Sequence, residues 1–158
     1  MNGTSAGRYL AFDLGGQRFA IEVSKVEVVL ESVPITRVPK APSHLRGVIN
    51  YRGSVIPVAD LRIRFGEGPT YAGPGSSIIV LQARFGKAEM TIGVLADAVR
   101  EVVDLDPARI ERPPSVGARI EDAFVKGIGE KGGDFIVILD IDLAFFPESA
   151  SERGPEAP

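Results

Sequence analysis

The 158-residue chain contains no cysteine, no tryptophan and a single histidine. Without cysteine there is no disulfide, no thiolate metal site and no cysteine nucleophile. The one histidine, His44, directly follows Ser43. Adjacency in sequence does not supply the oriented base that nucleophilic catalysis needs, so His44 reads as a solvated residue at a helix cap. No apolar run approaches the ~20 residues of a membrane-spanning helix. Met1 to Gly7 lacks the basic and apolar regions of a signal peptide, and the expected location is the cytoplasm. The glycines form no Gly-x-x-x-x-Gly-Lys cradle for phosphate. Asp104 and Asp106 precede Pro107 with no further ligand at metal spacing, so they read as a turn. These absences leave no acid, base, nucleophile, metal or cofactor in a recognisable place, and the chain is not expected to be an enzyme.

What is present is an ordinary globular composition, 44% hydrophobic and 25% charged, enough for one domain with a sizeable core. Charge is unevenly divided. Residues 1–65 carry nine Lys/Arg against five Asp/Glu, and residues 66–158 carry nine against sixteen. Such a basic first half and acidic second half can steer partners, or can be chance variation of a solvated surface. Net acidity and the lack of tryptophan argue against nucleic acid. An SH3-like or OB-like barrel module that binds nucleic acid through Arg46, Arg52, Arg62 and Arg64, or binds a protein of another kind, is the alternative to keep in view.

Taken in order, residues 1–7 read as a flexible leader. Tyr9 to Leu14 alternates as a strand, Gly15-Gly16 is a hairpin turn, and Phe19 to Val23 returns. Val26 to Leu30 forms a third strand, in which strict alternation cannot bury every valine. Pro34, Pro39 and Pro42 allow only a short extended piece around Ile35 to Val38. Ser43 is placed to cap one helical turn through Leu45. Val48-Ile49 and Val55-Ile56-Pro57-Val58 are β-branched strands joined by the turn Asn50-Tyr51-Arg52-Gly53. Pro57 cannot donate to a ladder, which predicts an edge strand or a strand end. Asp60 is the N-cap of a short helix that Gly66 stops.

After a Gly- and Pro-rich connector over residues 67–76, the pattern restarts. Ile78 to Leu81 and Met90 to Val94 flank a turn at Gly86, and Val99 to Val103 echoes Val26 to Val29. Pro113-Pro114 echoes the earlier prolines. At an offset of eighty, Leu45 to Val48 meets Val125 to Ile128, Val55-Ile56 meets Phe135-Ile136, and Asp60-Leu61 meets Asp140-Ile141. Two units, about 8–66 and 77–147, therefore share one plan within a single domain over 8–147. A short helix capped by Asp140 should fold Phe145 and Phe146 back onto the body, with a flexible tail over 148–158. The comparison isolates Arg52. The second unit has Glu130-Lys131-Gly132-Gly133 at this turn, so the arginine is not a structural requirement of the plan and is a candidate for contact.

The run Gly47-Val48-Ile49-Asn50-x-Arg52-Gly53-x-Val55-Ile56-Pro57-Val58-x-Asp60-Leu61-Arg62 resembles the signature of CheW-like domains, the bacterial chemotaxis coupling proteins. The resemblance extends from about Tyr9 to Phe146. It implies a mainly β fold of two tandem SH3-like five-stranded β-barrels packed together, with short helices including a C-terminal one. It also implies a non-catalytic scaffold without cofactor or metal. The partners it implies are the regulatory domain of a CheA-type histidine kinase and the cytoplasmic tip of chemoreceptors, with neither nucleic-acid binding nor membrane insertion. Carried over through the motifs, the receptor groove lies along Leu10, Val23, Val26 and Val29 with Arg52 nearby, and the kinase face includes Ser77, Ile79, Asp97 and Val99. Two departures bear on this transfer. Tyr51 stands where leucine is usual, bringing a hydroxyl to solvent or to a partner. Val28 stands where many relatives place a glutamate near the motif arginine, the acids here being Glu27 and Glu31; if Arg52 lacks that ion pair, it is freer to meet a receptor carboxylate or serves a different signalling system.

Overall fold

The fold follows from a computed structural model that describes residues 7–31, 33–112 and 124–145. The first unit contributes β1 (Arg8–Leu14), β2 (Gln17–Glu22), a 3₁₀ turn at Val23–Lys25, β3 (Val26–Glu31), β4 (Leu45–Tyr51), β5 (Ser54–Ala59) and helix α1 (Leu61–Arg64). The second contributes β6 (Ser77–Phe85), β7 (Ala88–Ala96), β8 (Ala98–Asp104), a 3₁₀ turn at Pro107–Arg109, β9 (Val125–Lys131), β10 (Asp134–Leu139) and helix α2 (Ile141–Phe145). The molecule is mainly β, with two five-stranded sheets and few short helices.

The sheets do not coincide with the units. One runs β8-β1-β2-β10-β9 and the other β3-β6-β7-β5-β4. Each unit therefore lends its first hairpin to the sheet built from the other unit's last three strands. The junctions are the only parallel ladders among the described residues, β10 with β2 at Val137–Phe19 and β5 with β7 at Val58–Gly93. Register repeats too: Val29 sits opposite Ile79 and Val26 opposite Leu81, as Val102 sits opposite Leu10 and Val99 opposite Phe12. Leu10 and Ile79 thus occupy matching places in the two halves.

Alternation within the strands sorts the core into three layers. Tyr9, Ala20, Val103 and Ile138 fill the inside of the first sheet, and Ile49, Val58, Ile78 and Leu95 the inside of the second. Between the sheets lies the largest cluster, where Leu10, Phe12 and Ile21 meet Leu81, Val94, Leu61 and Phe124. A chain of rings, Phe12, Phe19, Phe65 and Phe124, runs through it with 5.9 Å between successive centroids.

Local expectations fared differently. Asp60 caps α1, its carboxylate accepting from the Arg62 and Ile63 amides, and Asp140 accepts from the Leu143 amide in the same way. Pro57, by contrast, lies inside β5, and β5 is no edge because it sits between β7 and β4. The ladder to β7 begins only at Val58, so the missing donor falls where no partner strand needs it. Ser43 opens no helix: Leu45 donates to the Pro42 carbonyl at 2.9 Å and enters β4 at once. Val23 leaves β2 for the 3₁₀ turn. Pro113-Pro114, Phe146 and the tail over 148–158 lie outside the described residues.

Candidate functional site

Four tight hairpins allow a direct comparison of their turn residues. Gly15-Gly16, Gly86-Lys87, Gly132-Gly133 and Arg52-Gly53 each separate a directly paired couple of strand residues. The first turn residue has positive φ in every case: 59° at Gly15, 63° at Gly86, 61° at Gly132 and 54° at Arg52. Right-handed strand twist favours this geometry, and glycine adopts it freely. An L-residue there costs roughly 1–2 kcal/mol. Arginine therefore occupies a place where glycine serves the turn better.

The arginine is held, not loose. Its guanidinium lies 5.2 Å from the centroid of the Tyr51 ring and 3.9 Å from the Glu27 carboxylate, with 75% of the side chain exposed. Glu27 belongs to β3, the opposite margin of the same sheet, and also accepts from the Tyr51 hydroxyl at 2.9 Å and from the Gln82 amide at 2.8 Å. Gln82 continues to Thr91 at 2.9 Å. A polar chain thus crosses the seam where β4 meets β3 and runs on into β6 and β7. Hydrogen bonds from Gln82 and Tyr51, with Arg52 nearby, hold the Glu27 carboxyl below its ordinary range against the opposing effect of burial. Burial and donation to Glu27 push the Tyr51 phenol up, so the pair is a carboxylate and a neutral donor.

Arg52 therefore has an acidic neighbour, Glu27, although position 28 is a valine. Val28 packs toward the second sheet's interior, and Glu27, the exposed residue before it, supplies the carboxylate. The hydroxyl of Tyr51 has its partner in the same group.

The remaining candidates fall into two kinds. Val29 is 37% exposed, and Val23 and Val26 are half-buried beside it along the 3₁₀ turn and β3. Leu10 and Ile79 are buried, at 7% and 0% exposure, and can only shape a surface from beneath. Val99 is half-buried against the layer between the sheets, and Ser77 is half-buried opposite Glu31 and Ala96. Asp97 is exposed, but its carboxylate accepts from the Gly15 amide at 2.8 Å while its own amide donates to Asp13. It therefore ties the β7–β8 corner to the first hairpin. Val102, 47% exposed, is the counterpart of Val29 and was not singled out by the sequence. The echo of Val26 to Val29 was the signal that could have found it.

The arginine set proposed for nucleic acid does not assemble. Arg46 donates to Asp60 at 2.7 Å and to the Thr70 carbonyl. Arg62 donates to Glu67 and the Pro69 carbonyl, and Arg64 donates to the Ala144 carbonyl while stacking on Phe124. Among the described residues no group of three His, Cys, Asp or Glu is placed to hold a metal ion, and no helix is long and apolar enough to cross a membrane.

A family model described as CheW-like domain matches residues 8–145. The chain belongs to the CheW-like domain family. Its sequence is 32% identical over 145 residues to the probable chemotaxis protein CheW of Rhizobium etli, spanning 92% of this chain and 90% of that one. It is also 32% identical over 140 residues to the chemotaxis protein CheW of Thermotoga maritima, spanning 84% and 83%. The fold is similar to the crystal structure of the scaffolding protein TtCheW from Thermoanaerobacter tengcongensis, with a TM-score of 0.77, 34% identity, and 88% and 87% of the two chains covered. The Arg52 turn therefore sits on the scaffold of a chemotaxis coupling family.

Proposed function

We propose that this CheW-like chain is a non-catalytic cytoplasmic scaffold that couples chemoreceptor tips to the regulatory domain of a CheA-type histidine kinase in signalling arrays. The observation that carries the reading is Arg52, an exposed cation on a left-handed turn where glycine would be easier, steadied by Tyr51 and Glu27. Beside Glu27 on β3, Val29 offers exposed apolar surface, with Val23 and Val26 half-buried next to it. A helical receptor tip can lay its apolar side against such a strip while a carboxylate meets the arginine. Leu10 supports the strip from the layer below. On the kinase side Ser77, Ile79, Asp97 and Val99 set the shape of the start of β6 and the β7–β8 corner, with Ile79 acting through its packing.

The test is a reconstituted assembly of receptor, kinase and this protein. Arg52→Ala should leave the circular dichroism spectrum unchanged and reduce receptor-dependent kinase activation. Full activation by a folded Arg52→Ala variant would end the proposal.

A further inference from the structure

One end of the second sheet carries a groove that the receptor and kinase contacts proposed above do not use. Residues 33–46, joining β3 to β4, arch over this end and border a cavity of about 1090 Å³. Exposed Val38 and half-buried Ile63 of α1 give it apolar lining, above Ile78 and Leu95, which are buried in the sheet's own interior. Pro34, Pro39 and Pro42 stand in its wall and offer no N–H donors.

The charge around the groove has one sign. Arg37, Lys40 and Arg46 line it, and no acidic residue does. Arg46 is engaged by Asp60 and Thr70. Arg37 and Lys40 are exposed, and among the described residues neither takes part in an ion pair. Lys40 has φ 64° and is, with Arg52, one of two non-glycine residues of positive φ among the described residues. Backbone strain concentrates at binding positions, and here a lysine lines the groove from a turn that glycine would make more easily. The fold does not demand a basic rim. A second cavity, of about 670 Å³ and on the other sheet, is lined by Asp104, Asp106, Glu111 and Glu130 against Arg109 and Lys131.

We propose that this groove receives an extended segment of a partner protein that carries a carboxylate next to a large apolar side chain. The apolar side chain would cover Val38 and Ile63, and the carboxylate would meet Arg37 and Lys40. Apolar burial supplies the affinity, and the rim charge selects the sequence. A nucleic-acid strand would satisfy the two cations but leave Val38 and Ile63 uncovered, so a peptide fits the whole surface better.

The experiment titrates the full-length, methyl-labelled protein with three probes. They are a synthetic peptide alternating glutamate with leucine and phenylalanine, the same peptide with lysine for glutamate, and decanoate. The acidic peptide should shift the methyl signals of Val38 and Ile63 saturably and leave Ile136 and Ile138, in the other sheet, unmoved. The lysine peptide should be silent. The double variant Arg37→Glu/Lys40→Glu should raise the Kd for the acidic peptide about tenfold or more. Lys40→Gly, which suits the turn, should weaken binding without lowering the melting temperature. The proposal is overturned if the acidic peptide gives no saturable shift or if both peptides act alike. It is overturned equally if decanoate alone saturates the site, or if protein dilution alone moves the same methyls, which would make the occupant a second copy.

Discussion

The Tyr51 hydroxyl donates to the Glu27 carboxylate at 2.9 Å across the seam between the two margins of one sheet. Main-chain pairing does not join β4 to β3 there, so side chains close the gap, and the same carboxylate lies 3.9 Å from Arg52. Glu27 thus acts as a positioning residue for the exposed arginine. Glu27→Gln should lower receptor-dependent kinase activation nearly as far as Arg52→Ala, and the double variant should be no worse than Arg52→Ala alone. Activity assays on the two single variants and the double would show this non-additivity. Strictly additive losses would separate the two residues.

Arg52→Gly carries a prediction of opposite signs. Glycine relieves the positive φ, so the variant should be as stable as the parent or up to about 1 kcal/mol more stable in urea denaturation. Coupling activity should fall as it does for alanine. A structural role for the arginine would instead lower both together.

Asp60 is buried, at 0% exposure, and binds Arg46, the Thr70 hydroxyl and amide, and the first amides of α1. It fastens the 67–76 connector to the β4–β5 hairpin. Burial raises its pKa, but the hydrogen bonds from Thr70 and Arg46 outweigh this and hold it below the ordinary carboxylate range. Asp60→Ala should cost about 3–5 kcal/mol, since it strands Arg46 and removes a cap. The folded value is the lower one, so this stabilisation is complete above the unfolded pKa of about 3.9. It is lost as pH falls through the folded value. Stability curves of parent and Asp60→Asn should therefore converge under acid, and a constant gap down to the lowest pH would contradict the assignment.

Gly47 adopts φ 148°, and a Cβ there would lie 2.2 Å from the Thr36 carbonyl oxygen. That oxygen accepts from the Val48 amide at 2.8 Å, and the Thr36 amide donates back to the Val48 carbonyl at 2.9 Å. Gly47→Ala should separate residues 33–38 from β4 and cost about 2 kcal/mol or more. Hydrogen exchange at the Val48 amide should accelerate more than at Ile138. Uniform acceleration would mean that the whole fold, and not this bridge, had loosened.

Because each sheet borrows a hairpin from the other unit, neither unit can close a sheet alone. A protease site placed at Gly73–Gly75 should yield two fragments that remain together on size exclusion and separate only on unfolding. Each purified fragment should be largely unfolded by circular dichroism. An independently folded 1–66 fragment would refute the exchange.

Local features were legible because near neighbours decide them: the alternation of Leu10, Phe12 and Leu14, the caps at Asp60 and Asp140, and the singularity of Arg52 against Gly132. Pro57 points to an edge strand or a strand end and is at neither, because a proline shows only that a donor is missing, not where the neighbouring ladder begins. Nothing in the string shows Glu27 reaching Arg52, since the two lie on strands that meet only when the sheet curls.

The sequence by itself determined which segments extend, where they turn, that the plan is used twice, and that one turn carries an arginine. Hydrophobic period and turn chemistry act over a few residues, and they are written in order along the chain. Only the tertiary structure decided that the hairpins change places, that Leu10 and Ile79 lie beneath the surface, and that residues 33–46 arch over a basic groove. Those outcomes depend on which apolar faces pack together, and packing joins residues that chain order keeps far apart.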